Sequence, residues 1–127
     1  MQIFEVLKTV SKTDLDALNH VNNVQYVQWV QDIAEKHWLS QASETILKDY
    51  FWVMLSHHIQ YKQPALLDDV ITIKTYVVKS EGVTSTRMVD FYKGDSLLAK
   101  SETQWCFMSK TTLKPTRITE AVKKLFE

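Results

Sequence analysis

Apolar and polar positions along the chain divide it into one long helical stretch set among strand-like runs. Gln2 to Thr9 reads as a strand, and Ser11 to His20 as a polar loop. A helix is predicted from about Asn22 to about Leu39. Its polar residues Gln25, Gln28, Asp32 and Glu35 recur at intervals of three to four and form one narrow stripe. Val24, Tyr26, Val27, Trp29, Val30, Ile33, Ala34 and Trp38 fill most of the remaining circumference, which predicts a helix buried on most sides. Ser40 to Tyr50 has no clear period. Four strand-like runs follow: Phe51 to Gln63, Asp69 to Lys79, Val83 to Lys93 and Leu97 to Ser109. Alternation is cleanest in the last, where Leu97, Ala99, Ser101, Thr103, Trp105 and Phe107 share a face whose small central residues would let a helix lie close. Thr119 to Phe126 reads as a short amphipathic helix.

Only two glycines and two prolines occur, and each falls where a turn is wanted. Glu81-Gly82 and Lys93-Gly94-Asp95-Ser96 separate consecutive strands by too little chain for anything but antiparallel pairing. Strand, helix and four antiparallel strands imply an α+β fold: a five-stranded antiparallel sheet wrapped around one long central helix. With no repeat, linker or low-complexity stretch, residues 1–127 read as a single domain. An open sheet leaves two edges that invite pairing, so a homodimer or homotetramer is expected.

Charge and composition narrow the function classes. Fifteen basic residues balance fifteen acidic ones, which argues against a protein whose main task is gripping nucleic acid. No apolar run approaches the roughly 20 residues that cross a bilayer, and the first residues are too mixed for a signal peptide. The single cysteine, Cys106, leaves no intrachain disulfide and fits a reducing, cytoplasmic setting. No metal is expected: His57 and His58 are adjacent strand residues that point to opposite faces, and no cluster has zinc-ligand spacing. No cofactor is expected either.

The segment richest in chemistry runs from Asp14 to Val24, where two carboxylates, one histidine and three asparagines crowd into eleven positions. It ends at the start of the predicted helix, whose first turn offers unpaired backbone N–H groups and a positive dipole end. Such donors hold the oxyanion formed when a thioester carbonyl is attacked. A carboxylate just upstream serves as nucleophile or as base for water. The same residues also read as plain structure, with Asn22 and Asn23 as N-caps and Asp14 or Asp16 closing Asx-turns.

Asp14-x-Asp16-x-x-x-His20-Val21-Asn22-Asn23-x-x-Tyr26, followed by Trp29 and Ala34, resembles the hotdog-fold thioesterases that include 4-hydroxybenzoyl-CoA thioesterase and the long-chain acyl-CoA thioesterases. It is also similar to the acyl-ACP thioesterases. Ile59-x-Tyr61-x-x-Pro64-Ala65-x-x-x-Asp69 resembles the family's second strand and turn, with Asp68 where the family usually has glycine. The resemblance covers nearly the whole chain. It implies a hotdog fold with Asp16 as the catalytic carboxylate, the Asn23 backbone N–H (or a neighbour's) polarising the carbonyl, and His20 assisting with a proton or positioning the loop. Asn22 would lie at the substrate. Ser85 and Thr86 resemble hydroxyl residues that relatives place near the thioester of the neighbouring subunit, and otherwise read as ordinary strand residues. Tyr26 reads as core.

Other activities of the fold leave no trace. Hydratase relatives separate aspartate and histidine by four residues, whereas five and three intervene between His20 and Asp14 or Asp16. The His-x-Phe-Pro-Gly run of dehydratases and the His-Gly-Gly signature of a second thioesterase branch are absent. The expected function is hydrolysis of an acyl-CoA thioester to free acid and CoA. The alternatives are an acyl carrier protein as the substrate's carrier, or a non-catalytic protein that binds acyl thioesters.

Overall fold

The computed structural model describes all 127 residues. β1 (Phe4–Thr9) leads through a 3-10 turn at Lys12–Asp14 into α1 (Asn23–Gln41) and a short α2 (Glu44–Asp49). β2 (Tyr50–Tyr61), β3 (Val70–Glu81), β4 (Thr84–Lys93) and β5 (Ser96–Ser109) follow, then α3 (Glu120–Lys124). The strands form one five-stranded sheet in the order β1-β3-β4-β5-β2, antiparallel at every pair. The expected sheet and its helix are therefore present, with boundaries within about three residues of those read from the pattern.

Local chemistry accounts for the element ends. Asn22 caps α1, its side chain accepting from the Val24 N–H at 2.9 Å. Ser43 caps α2 through the Ile46 N–H, and Thr119 caps α3 through the Val122 N–H. Gly82 (φ 62°) and Gly94 (φ 58°) begin the two-residue hairpin connections, which need a left-handed backbone there. Asp68 also takes a left-handed conformation, φ 68°, so the position where the family usually has glycine keeps a glycine-like backbone. Asp69 steadies that turn by accepting from the Leu66 N–H at 2.9 Å.

One core joins Tyr26, Trp29, Val30 and Ile33 of α1 to Ile71 and Ile73 of β3, Val89 and Phe91 of β4, and Ala99 of β5. Each large side chain so buried contributes about 1.5–3 kcal/mol. The small inner residues of β5, Ala99, Ser101 and Thr103, are fully buried, as the alternation predicts. A second cluster, Phe107, Ile118, Val122 and Phe126, seats α3 against the same face near Trp38 and Trp52.

Two features differ from the sequence reading. Ser40 to Tyr50 completes α1, adds α2, a six-residue helix too short to show a period, and ends on the first residue of β2. The burial of α1 is one-sided: the sheet covers one face, while Val24 (74% exposed) and Leu39 (53%) remain open in the single chain with the polar stripe. A single five-stranded sheet has only one inner face to offer the helix. No helix is long and apolar enough to cross a membrane.

At the C-terminal half of α1 the core becomes polar. His37, with no exposed surface, contacts Gln2 Oε1 through Nε2 at 2.6 Å and Arg87 Nη1 through Nδ1 at 2.9 Å. Gln2 Oε1 accepts and the guanidinium only donates, so the ring is neutral with its proton on Nε2. Burial, with the Arg87 charge beside it, pushes the His37 pKa down to about 4. The unfolded chain takes up this proton near pH 6.5, the folded one only near pH 4. Between those values the unfolded state binds more protons, so stability falls as pH falls, by up to about 1.4 kcal/mol per pH unit. His57, pushed down by burial and by His58, adds to the slope in the same direction. Thermal melting between pH 7 and pH 4 should show this decline, and His37→Gln should flatten it; an equally steep profile in the variant would exclude His37 as the source.

Candidate active site

The polar loop before α1 is built around its two aspartates. Asp14 is buried, and its Oδ2 accepts from the Ser11 N–H (2.9 Å) and Ser11 hydroxyl (3.1 Å). Its carbonyl receives the Asn22 N–H at 2.8 Å, which ties the loop to the start of α1. Leu15 and Val21 form a β-bridge that closes the segment between them, and the Val21 N–H donates to the Ala65 carbonyl at 3.0 Å. Asp14 is thus a structural anchor.

Asp16 stands inside the closed segment, half-buried. Its Oδ1 accepts from the backbone N–H groups of Leu18 (2.8 Å) and His20 (3.2 Å). Its Oδ2 makes no hydrogen bond, so one carboxylate oxygen is pinned and the other left free. Asn19 turns the loop in a left-handed conformation, φ 61°, one that asparagine tolerates.

Asp16, His20 and Asn23 line one pocket of about 230 Å³, together with Tyr26 and Tyr61 to Pro64. The Val24 N–H is taken by the Asn22 cap and the Gln25 N–H by the Asn22 carbonyl, whereas the Asn23 N–H has no partner. The residues lining the pocket therefore include one with an unbonded carboxylate oxygen and one with an unpartnered N–H at a helix N-terminus, the types of group that thioester hydrolysis uses. The Asn22 side chain serves the helix as its cap.

Ser85 and Thr86 are not part of this pocket. Ser85 is buried on the inner face, 3.0 Å from the Ser80 hydroxyl, and lines a separate, larger cavity. Thr86 faces the other side of the sheet and donates to Gln104 Oε1 at 3.1 Å. The separation follows from strand geometry, since consecutive residues point to opposite faces. His57 and His58 part for the same reason: His57 meets the Ser101 hydroxyl at 2.7 Å, and His58 is exposed. No three His, Cys, Asp or Glu side chains gather into a metal site.

Tyr26 is core, as expected, but it also reaches the site. Phe91, Trp29 and Tyr61 pack against its ring edge-to-face at 5.0–5.6 Å. Its hydroxyl is the one buried side-chain polar atom with no hydrogen-bond partner, and burial together with Tyr61 and Asp69 pushes its pKa up to about 12. It stays protonated and sealed from solvent. Sequence reasoning had no means of foreseeing an unpaired hydroxyl on a helix otherwise read as apolar.

Known proteins agree with this architecture. Among solved structures, the probable thioesterase YbaW from Escherichia coli superposes with a TM-score of 0.87 at 18% identity, over 95% of this chain and 94% of that one. Slr0204, a 1,4-dihydroxy-2-naphthoyl-CoA thioesterase from Synechocystis, gives 0.82 at 16% identity over 98% and 96%. SAV2348 from Staphylococcus aureus, solved in complex with CoA, gives 0.84 at 20% identity over 98% and 81%. At such identities these likenesses establish the hotdog fold alone. A search of curated protein sequences gave no match. The family model of the thioesterase-like superfamily matches residues 10–126, from the end of β1 through α3, and the chain belongs to that superfamily.

Proposed function

We propose that the protein hydrolyses acyl-CoA thioesters with Asp16 as the catalytic carboxylate. The observation that carries this reading is that Asp16, with its Oδ2 unbonded, and Asn23, with its N–H unpartnered, line one pocket. The pinned Oδ1 aims the other oxygen, so its charge is already in position when the substrate arrives. CoA as the carrier is supported by the two structural relatives described with CoA or a CoA thioester.

In this reading the thioester carbonyl oxygen points at the Asn23 N–H, where the helix dipole favours growing negative charge. Asp16 either takes a proton from water, whose hydroxide adds to the carbonyl carbon, or adds to that carbon itself and forms an anhydride that water opens. Both routes break the C–S bond, and the departing CoA thiolate takes up a proton; in this reading His20, which lines the pocket, assists that transfer. The products are the free acid and CoA. Cys106, buried and unpaired, suits a cytoplasmic setting for the reaction.

A homodimer built on β2 completes the proposal. β2 is a twelve-residue edge strand exposing Val53 and Leu55, while the other edge, β1, has six residues. Pairing β2 with its copy would extend the sheet and cover apolar surface that water now meets. Light scattering at micromolar concentration should give twice the chain mass or a multiple of it, and Leu55→Lys should lower it; a wild-type protein that is wholly monomeric contradicts the dimer.

Asp16→Asn tests the chemistry. Asparagine keeps an Oδ1 that accepts from Leu18 and His20, so the loop and the melting temperature should be unchanged. Losing the charge should lower kcat by about 10²- to 10⁴-fold, with KM little altered because the backbone donors remain. A variant that melts like the parent and keeps its kcat would remove Asp16 from the mechanism.

A further inference from the structure

A cavity of about 420 Å³ opens between the C-terminal half of α1, α2 and the inner face of the sheet. Trp38, Trp52, Trp105 and Phe126 supply aromatic wall, and Arg87 and Ser85 stand at its inner side. Its size suits a small organic ligand. From Asn23 at the Asp16 pocket to His37 beside Arg87, α1 rises about 21 Å at roughly 1.5 Å per residue. Within one chain the two pockets thus lie toward opposite ends of the helix.

Arg87 is the anomaly. It is 6% exposed, and no carboxylate lies within ion-pair distance of it. Its Nη1 donates to His37 Nδ1 (2.9 Å) and Thr75 Oγ1 (3.0 Å), and the Phe126 ring lies 5.3 Å from its Cζ. Nε and Nη2 make no hydrogen bond, although neither is sealed from the cavity. A buried guanidinium without a counter-charge is costly, and two free N–H groups in a rigid fork match a carboxylate in bidentate geometry. Neutral His37 holds the fork without cancelling its charge. Asp32 and Glu35 also border the cavity, as does Lys110, but both carboxylates are exposed on α1. Water weakens their field, whereas Arg87 acts where the dielectric is low.

We propose that this cavity is a carboxylate-binding site, with Arg87 as the anion anchor and the aromatic wall holding an apolar body. The carboxylate belongs either to a free organic acid or to the far end of an acyl tail; a six-carbon tail is too short to span the helix, so the second source places the thioester at Asp16 of the partner subunit and rests on the thioesterase reading and its dimer, and the first rests on neither.

Titration followed by tryptophan fluorescence and calorimetry separates the possibilities. Benzoate and hexanoate should bind about tenfold or more tighter than benzamide and hexanamide, the scale of a charge-assisted pair. Arg87→Met should erase that difference, and Arg87→Lys should keep part of it. If Arg87→Met fails to melt cooperatively, the wild-type acid-to-amide ratio and Arg87→Lys still decide. Adipoyl-CoA and hexanoyl-CoA hydrolysis by both proteins distinguishes the sources. A preference for adipoyl-CoA that Arg87→Met abolishes assigns the anion to the acyl tail; carboxylate binding without that preference assigns it to a free acid. Carboxylate binding in a protein that releases no thiol would keep this site and sink the thioesterase reading. Acids and amides that bind equally or not at all, with no adipoyl preference, overturn the inference.

Discussion

Helix α1 lies against the sheet through Tyr26, Trp29, Val30 and Ile33, and almost every other feature takes its position from that contact. Ala99, Ser101 and Thr103 keep the middle of β5 small where the inner face is fully buried. Bulkier side chains there would lift the helix, and close-packed interiors do not absorb such volume without strain. With α1 fixed, its first turn is fixed as well, and so is the loop that Asn22 and Val21 bind to Asp14 and Ala65. The pocket geometry is therefore inherited from the core.

The helix that sets this geometry has two chemically different ends. Its N-terminus leaves the Asn23 N–H without a partner, and Asn23 lines one pocket with Asp16, a carboxylate with one oxygen pinned. Toward its C-terminus His37 gives up its proton affinity to burial and braces a guanidinium that no protein carboxylate neutralises. Both are places where polar groups sit in or near the core without their full complement of partners, the condition under which a ligand gains most from supplying one.

Legibility in the sequence followed the range of the interactions. The strict alternation of β5 and the capping asparagine of α1 are local signals, and they located both elements. The crowding of Asp14, Asp16, His20 and Asn23 marked the loop for the same reason. Which oxygen of Asp16 is free, and that Asp14 is an anchor, depends on backbone donors that only the folded loop brings together. Alternation alone placed His57 and His58 on opposite faces. Applied to β4, it also separates Thr86 from Ser85 and puts Arg87 inside. The meaning of Arg87 stayed hidden, because its partner His37 lies 50 residues away in sequence. The one-sided cover of α1 was unforeseeable from periodicity, which records how apolar a helix is and not which chain covers it.

Thiol release from the folded wild-type protein decides whether it hydrolyses thioesters. A series of acyl-CoAs, short to long aliphatic and aromatic, would be followed spectrophotometrically with a thiol reagent, with thermal melting to confirm the fold. Enzyme-dependent release of CoA that saturates with at least one member is the expected result. Failure of the folded protein to release thiol from any of them would contradict it.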